Sequence, residues 1–443
     1  MKKFLITILI LFSLAYPVFA TQISSIVNQG VSPAVRLPNQ GFGFYAAGRY
    51  WVFFLNTTYD FQFKTSTDNV NWSSATTIQN SATYINAAMH DVYFDSSNVH
   101  YIRNGVVNGS NYDFLYYRKG VPETNGTITW AAAEQTIIGG NPYNHANDIS
   151  LTVDSSGYPW VGMQYGTSAG YGNAYITKSN TNDGTWTTAS GYPKLLYSTP
   201  ANNWLTKVVA QTGGKVYALL YSTTGVATGT PTTYAYPIKG MAYNGTDWGS
   251  LVEVTASYLN NFKSGGYYGQ FDATAIGDDI HLVFKAVTTN DIRYVKYTNG
   301  AWGVEEILVP TSYTEMDSSP VIMKWNDTTL YMFWIKKPVI YYLINQGGIW
   351  DTTVKTFLTD LNIAQDDEHS LQVFDEPYSV GGILNSGLFY QPTISSLRQQ
   401  TFVSYTSLTE EIPPPGDPPS GIGTARTVFG NNVVFKNNVV INN

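Results

Sequence analysis

Six tryptophans recur at the same point of a repeating pattern: Trp72, Trp130, Trp186, Trp248, Trp302 and Trp350. Their spacings are 58, 56, 62, 54 and 48 residues. Four of them close a short polar turn: Ser66-Thr67-Asp68-Asn69-Val70-Asn71-Trp72, Asn182-Asp183-Gly184-Thr185-Trp186, Asn244-Gly245-Thr246-Asp247-Trp248 and Asn299-Gly300-Ala301-Trp302. Self-similarity at a period of about 50 residues, in a chain of short apolar-alternating runs, marks a propeller or another closed array of sheets.

A finer unit lies between the tryptophans. Residues 148–154 alternate apolar and polar, Ser155-Ser156-Gly157 turns the chain, and a second alternating run follows from Tyr158 to Tyr165. Alternation across a tight turn is the hairpin signal. Matching hairpins begin near Phe42, His90, Asp148, Thr206, Asp272, Ser318 and Ser370, one more than the tryptophans. A ring of four-stranded blades accounts for the difference if its last blade is completed by a strand from the other end of the chain. Residues 21–29 would supply that strand beside residues 398–407, and the Trp turn of that blade would fall at the chain break. The expectation is an all-β fold, a β-propeller of seven four-stranded blades closed by an N-terminal strand, with six blades as the alternative.

The domain limits follow from composition. Lys2 and Lys3, the apolar run from Phe4 to Ala15 and the small-residue site at Val18-Phe19-Ala20 have the layout of a signal peptide over residues 1–20. The apolar run is shorter than the roughly 20 residues that span a bilayer. Residues 21–411 form the propeller, and the proline-rich stretch 412–420 is a stiff linker. The tail, residues 421–443, carries two near-identical units at Asn431-Asn432-Val433-Val434 and Asn437-Asn438-Val439-Val440. These resemble one rung of a β-solenoid, which cannot bury its own apolar face. Docking, self-assembly and disorder all remain open for it. The expected location is outside the cell or on its surface.

Cysteine is absent, which excludes disulfides, thiolate metal sites and a cysteine nucleophile. A net charge of −7 without a basic cluster argues against nucleic-acid binding. The 34 tyrosines and abundant Asn and Gly suit strands, tight turns and sugar-contacting surfaces. No nucleophile elbow, zinc-protease helix or phosphate loop is present in the sequence.

At the Trp turns the chain resembles the Asp-box, or BNR-repeat, propellers typified by sialidases, whose pattern is Ser-x-Asp-x-Gly-x-Thr-Trp. Ser66, Asp68 and Trp72 match it with one residue deleted, and Ser179 with Asp183-Gly184-Thr185-Trp186 matches it with an insertion. The resemblance implies a structural role for Asp68, Asp183 and the six tryptophans, with Asp accepting backbone N–H bonds and Trp packing between blades. It also implies a sialidase site of three arginines, a Tyr–Glu pair and an Asp. The counterpart of the family's early Arg motif is only Val35-Arg36-Leu37-Pro38, and seven arginines remain after the leader: Arg36, Arg49, Arg103, Arg118, Arg293, Arg398 and Arg426. The chain is therefore expected to be sialidase-like in fold without being a true sialidase.

Residues at the starts of innermost strands face the channel mouth of a propeller. Here these are His90, Asp91, His145, Asp148, Asp272, Asp317 and His369, an unusual concentration in a chain with only 12% charged residues. As a functional set they would bind a sugar or a metal through imidazole and carboxylate. As a structural set they would be strand-entry residues selected blade by blade. Asp366-Asp367-Glu368-His369 could offer ligands to calcium but lacks the spacing of an EF-type loop, so no cofactor is expected. His100 and His281 fall inside second strands and are expected to be satisfied sheet histidines. Six Asn-x-Ser/Thr sites occur, at Asn56, Asn71, Asn108, Asn125, Asn244 and Asn326. The composite expectation is a secreted propeller that binds a glycan or surface polymer. The alternatives are an exported glycosidase or polysaccharide lyase, with His90 or His145 as base, and a structural surface protein assembling through its tail.

Overall fold

The computed structural model describes residues 22–29 and most of residues 41–406. Within the latter it leaves out 57–59, 80–88, 106–113, 140–144, 169–170, 199–203, 223–236, 258, 260–270, 287–288, 290, 311–319, 337, 360–370, 375–376, 381–382, 391–392 and 395–396. The leader, the linker, the tail, Arg36, Asp317 and His369 therefore lie outside the described residues, and so do Asn108 and the acidic run 366–369.

Seven antiparallel sheets form seven blades. Their innermost strands are, in order, Gly43–Ala46, His90–Phe94, His145–Val153, Trp204–Ala210, Phe271–Ile276, Val321–Asn326 and Gln372–Val373. In blades 1 to 6 the chain then winds outward through successive hairpins. Blade 7 is closed as the hairpin count anticipates: Gln22–Gln29 pairs antiparallel with Leu397–Thr406, from Gln22 opposite Ser404 to Gln29 opposite Arg398. Closure removes the open edges that a linear stack of sheets would leave.

The core is not one mass but seven, one between each pair of neighbouring blades. Blades 1 and 2 enclose Trp51, Phe53, Phe61, Phe63, Val99 and Tyr101. Blades 3 and 4 enclose Trp160, Ile176, Trp204, Val216 and Leu220. Each repeat tryptophan lies against the blade before its own. Trp72 joins the cluster shared with blade 7, Trp130 that with blade 1, Trp186 that with blade 2 and Trp248 that with blade 3. Trp302 and Trp350 do the same against blades 4 and 5. The edge-to-face contact of Trp186 with Tyr117, at 5.3 Å between ring centroids, is typical. A flat indole at a hairpin corner buries a large apolar area, and Nε1 of Trp186, Trp248 and Trp302 also finds a side-chain oxygen acceptor.

Four of the six turns before these tryptophans share one construction, an Asp or Asn side chain that accepts backbone N–H groups, while Trp302 and Trp350 follow the two-residue turns Asn299-Gly300 and Gly347-Gly348. Asp68 Oδ1 accepts the backbone N–H groups of Val70 and Asn71, both at 2.8 Å, while Asn69 takes the left-handed conformation at φ 57°. The N–H of Asn71, then its side chain, hold the Asp68 carboxyl well below the ordinary carboxylate range. Asp183 Oδ1 accepts both the N–H and the hydroxyl of Thr185, at 3.0 and 2.6 Å. Asn244 does the same for Thr246 at 2.9 and 3.1 Å, and Asn125 for Thr127 at 3.0 and 2.7 Å. Asn326 repeats the bond pair with Thr328 in a first-to-second-strand turn, at 2.9 and 3.0 Å. Three of the Asn-x-Ser/Thr sites are thereby explained as turn chemistry: the Asn oxygen and the hydroxyl two residues later form an Asx turn.

Candidate functional site

The innermost strands place His90, Asp91, His145 and Asp272 at their leading ends, with Asp148 further along the strand that starts at His145. His90 is 2% exposed and lies between Phe42 and Phe61, with ring centroids at 4.6 and 4.9 Å. Burial lowers its pKa to about 3, so the ring is neutral and a weak base. Asp91 accepts the N–H of Gly41 in blade 1 at 2.5 Å and the N–H of Leu151 in blade 3 at 2.6 Å. Ser150 Oγ accepts the N–H of Val208 in blade 4 at 3.0 Å. Asp272 accepts the N–H of Ile322 in blade 6 at 3.0 Å and pairs with Lys207 of blade 4 at 3.2 Å. Burial raises the Asp272 carboxyl, and the Lys207 ammonium works against that rise.

Together these side chains stitch blades 1 to 6 around the axis. Each supplies an acceptor to backbone N–H groups that would otherwise be buried without one. Asp91 and Asp272 are thus engaged by the fold. Asp148 is 1% exposed with φ 49°. His145 lies in the same strand as Asp148, and the structure describes its backbone only. Among the described residues no group of three or more His, Cys, Asp or Glu side chains is placed to hold a metal ion.

A recess opens at the opposite end of these strands, where the first hairpin turns lie. It is a cleft of about 420 Å³ lined by Phe44 and Tyr45 of blade 1, Tyr93, Phe94, Asp95 and Ser96 of blade 2, Val153 of blade 3, and Phe374 and Tyr378 of blade 7. Its position follows from the turns. On blades 3 to 5 they clasp one another: Gly214 N donates to Ser155 Oγ at 2.9 Å, and Gln211 Nε2 to the Asp278 carbonyl at 2.5 Å. On blade 1 the turn is Ala47-Gly48, two small residues with φ 53° and 74°, and a Cβ added at Gly48 would meet nothing within 4 Å.

Six aromatic rings build the walls. Phe44 stacks on Phe94 at 4.6 Å with 6° between planes, and Tyr45 stacks on Tyr378 at 4.2 Å. The Tyr378 hydroxyl donates to the Tyr50 hydroxyl at 3.1 Å. Burial, then the neighbouring Tyr50, raises the pKa of Tyr45, so its phenol stays protonated and able to donate. Tyr45, Tyr93 and Phe94 are half-buried, and Ser96 is exposed at the rim.

The one carboxylate among the described lining residues is Asp95, and its oxygens are in use. Oδ1 accepts the N–H groups of Ser97 and Asn98 at 2.9 and 2.6 Å, and Oδ2 meets His100 Nε2 at 2.9 Å. Burial alone would raise this carboxyl, but the His100 hydrogen bond and the two N–H groups outweigh it and keep it ionised. His100 is itself lowered by burial and also bonds Tyr117 Oη at 2.8 Å, so it is the satisfied sheet histidine its position suggests. His281 repeats only the tyrosine bond, Nδ1 with Tyr294 Oη at 2.7 Å, and its buried Nε2 has no hydrogen-bond partner among the described residues.

This cleft is not among the sites expected from the sequence. Its signal is the aromatic doublet immediately before the first turn in two consecutive blades, Phe44-Tyr45 and Tyr93-Phe94. Such doublets read as core until the packing of each turn against its neighbours is known.

No protein-family profile and no curated protein sequence matches the chain. Solved structures do match its fold. A polysaccharide lyase described as an ulvan lyase is similar at TM-score 0.56 and 12% identity, over 85% of this chain and 94% of that one. A second structure of such a lyase, bound to -[GlcA(1-4)Rha3S]-, matches at TM-score 0.56 and 13% identity, over the same 85% and 94%. A Hadza microbial sialidase matches at TM-score 0.45 and 10% identity, over 78% of this chain and 73% of that one. The likeness to the two lyase structures agrees with the β-propeller fold described above.

Proposed function

We propose that this protein is an exported carbohydrate-binding propeller whose ligand sits in the aromatic cleft at the first-turn end of the axis. The observation that carries this reading is the cleft's make-up: stacked rings, phenol hydroxyls and a rim serine surround about 420 Å³, in the lower part of the roughly 300–1,000 Å³ range of small-molecule sites. The C–H face of a sugar ring packs on an aromatic face, and its hydroxyls need donors such as those of Tyr45 and Ser96 at the edge. Asp95 is held by His100 and two backbone N–H groups, which suits a binding site better than one that moves protons.

A glycan array on the mature protein, run beside a reducing-sugar assay and a measurement of new unsaturated ends, tests the proposal. Retention of a saccharide without release of product is the expected result. Turnover would favour the second reading, an exported polysaccharide lyase or glycosidase, which the fold shared with the lyase structure supports. Retention of no saccharide would remove both. Export rests on residues 1–20, and N-terminal sequencing of secreted protein should begin at Thr21. The tail, residues 421–443, is proposed to join copies of the chain. Its deletion should abolish assembly in size-exclusion chromatography while leaving the propeller folded.

A further inference from the structure

We infer that the cleft selects uncharged saccharides and discriminates against uronates and sulfated sugars. This rests on the carbohydrate-binding reading above and adds the chemical class of its ligand. Recognition of a carboxylate or sulfate calls for an Arg fork or a Lys ammonium aimed at it. None of the described lining residues is cationic, and the one charge among them is the ionised Asp95.

Several of the described cations are engaged elsewhere. Arg103 pairs with Glu134, Arg293 with Asp291 and Glu305, and Lys207 with Asp272. Arg49, beside the short blade 1 turn, directs its Nε to the Thr124 carbonyl at 2.6 Å, toward the outer turn of blade 2. The whole chain carries −7, so its long-range field also opposes an approaching polyanion. Asp95 is fixed by His100 Nε2 at 2.9 Å and its side chain is 18% exposed, so an anionic sugar would meet a negative charge that cannot turn away. A neutral sugar would meet the same group as a hydrogen-bond acceptor beside aromatic faces.

The test uses the full mature chain and matched probes. Gluco-, galacto- and manno-oligosaccharides are titrated calorimetrically, each against the same oligosaccharide with its primary hydroxyls oxidised to carboxylates. At low salt, the neutral form of whichever probe binds should be favoured about tenfold, the effect of about 1.4 kcal/mol of like-charge repulsion. Added salt should narrow that gap by screening. Tyr45→Ala and Tyr93→Ala should abolish binding, with a thermal melt confirming that each variant is folded.

Equal or stronger binding of the oxidised form would overturn the charge preference while leaving the carbohydrate reading intact. Failure of both forms to bind would take down that reading and the preference with it. Binding that survives in folded Tyr45→Ala and Tyr93→Ala variants would place the saccharide outside the cleft and overturn the inference.

Discussion

Trp302 Nε1 donates a 2.7 Å hydrogen bond to Tyr217 Oη across the boundary between blades 5 and 4, from a position 85 residues away in the chain. The rings also meet edge to face at 5.4 Å. The bond shows how a sequence repeat becomes a ring: the indole that ends one blade's outer turn is received by the blade before it. Trp248 does the same with Tyr192, at 3.1 Å.

Removing the indole should open the corner. Trp302→Ala should cost about 3–5 kcal/mol, the usual range for a large aromatic deletion. Tyr217→Phe should cost about 1–3 kcal/mol by leaving the indole N–H without its acceptor. Denaturant unfolding of both single variants and the double measures the coupling. Strict additivity would show that the hydrogen bond adds nothing to the packing.

The inner stitching predicts a sharper loss at Asp91 than at surface carboxylates. Asp91→Ala strands the N–H groups of Gly41 and Leu151 in a buried setting, a penalty of about 1–3 kcal/mol for each group. Asp91→Asn keeps one acceptor oxygen and should fall between wild type and Ala. Thermal unfolding ranks the three, and a wild-type melting temperature for Asp91→Ala would show the stitching to be dispensable.

Stability should fall in acid, in part through His90. Burial holds its folded pKa at about 3, against an ordinary value of 6.5. Between those values the unfolded chain binds a proton that the folded chain refuses. The stabilisation is therefore fully present above the ordinary value and declines as pH drops toward the folded one, at up to about 1.4 kcal/mol per unit. His281, lowered to about 4 by burial and then by Lys296, adds in the same direction. Unfolding curves between about pH 7 and pH 4 should be flatter for His90→Leu than for wild type. Identical slopes would mean that the ring accepts a proton in the folded state.

The Asx turns predict which substitutions are silent. Asn244 and Asp183 make equivalent bonds to the threonine two residues on. Asn244→Asp should leave the melting temperature unchanged, whereas Asn244→Ala should cost about 1 kcal/mol through loss of the side-chain acceptor. Equal melting temperatures for the two variants would remove the turn from the list of stabilising elements.

The ring was legible in the sequence because each blade must repeat the same solution. Trp72 to Trp350 recur at one corner, and Asp154-Ser155-Ser156-Gly157 announces a hairpin without reference to the rest of the fold. The closing strand was legible from the odd hairpin count. The cleft was not. Phe44, Phe94 and Phe374 look like core in a one-dimensional reading, and they line a recess where the turns of blades 3 to 5 clasp one another while the small Ala47-Gly48 turn of blade 1 leaves open space beside Gly48. Asp91 and Asp272 stood out for the opposite reason. Buried N–H groups along the axis need acceptors, and a sequence shows the acceptor without the donor it serves.

The pairing of Gln22–Gln29 with Leu397–Thr406 sets an order on biogenesis. The ribosome makes the clasp first, and its partner emerges only after every other blade. Until then the nascent protein is an open horseshoe with two unsatisfied rims, each able to recruit a stray β-edge. Contacts of such long sequence separation form slowly. Circular permutants that begin in another inter-blade connection would shift the seam, and refolding rates across a set of them would show how far this late-arriving partner governs assembly.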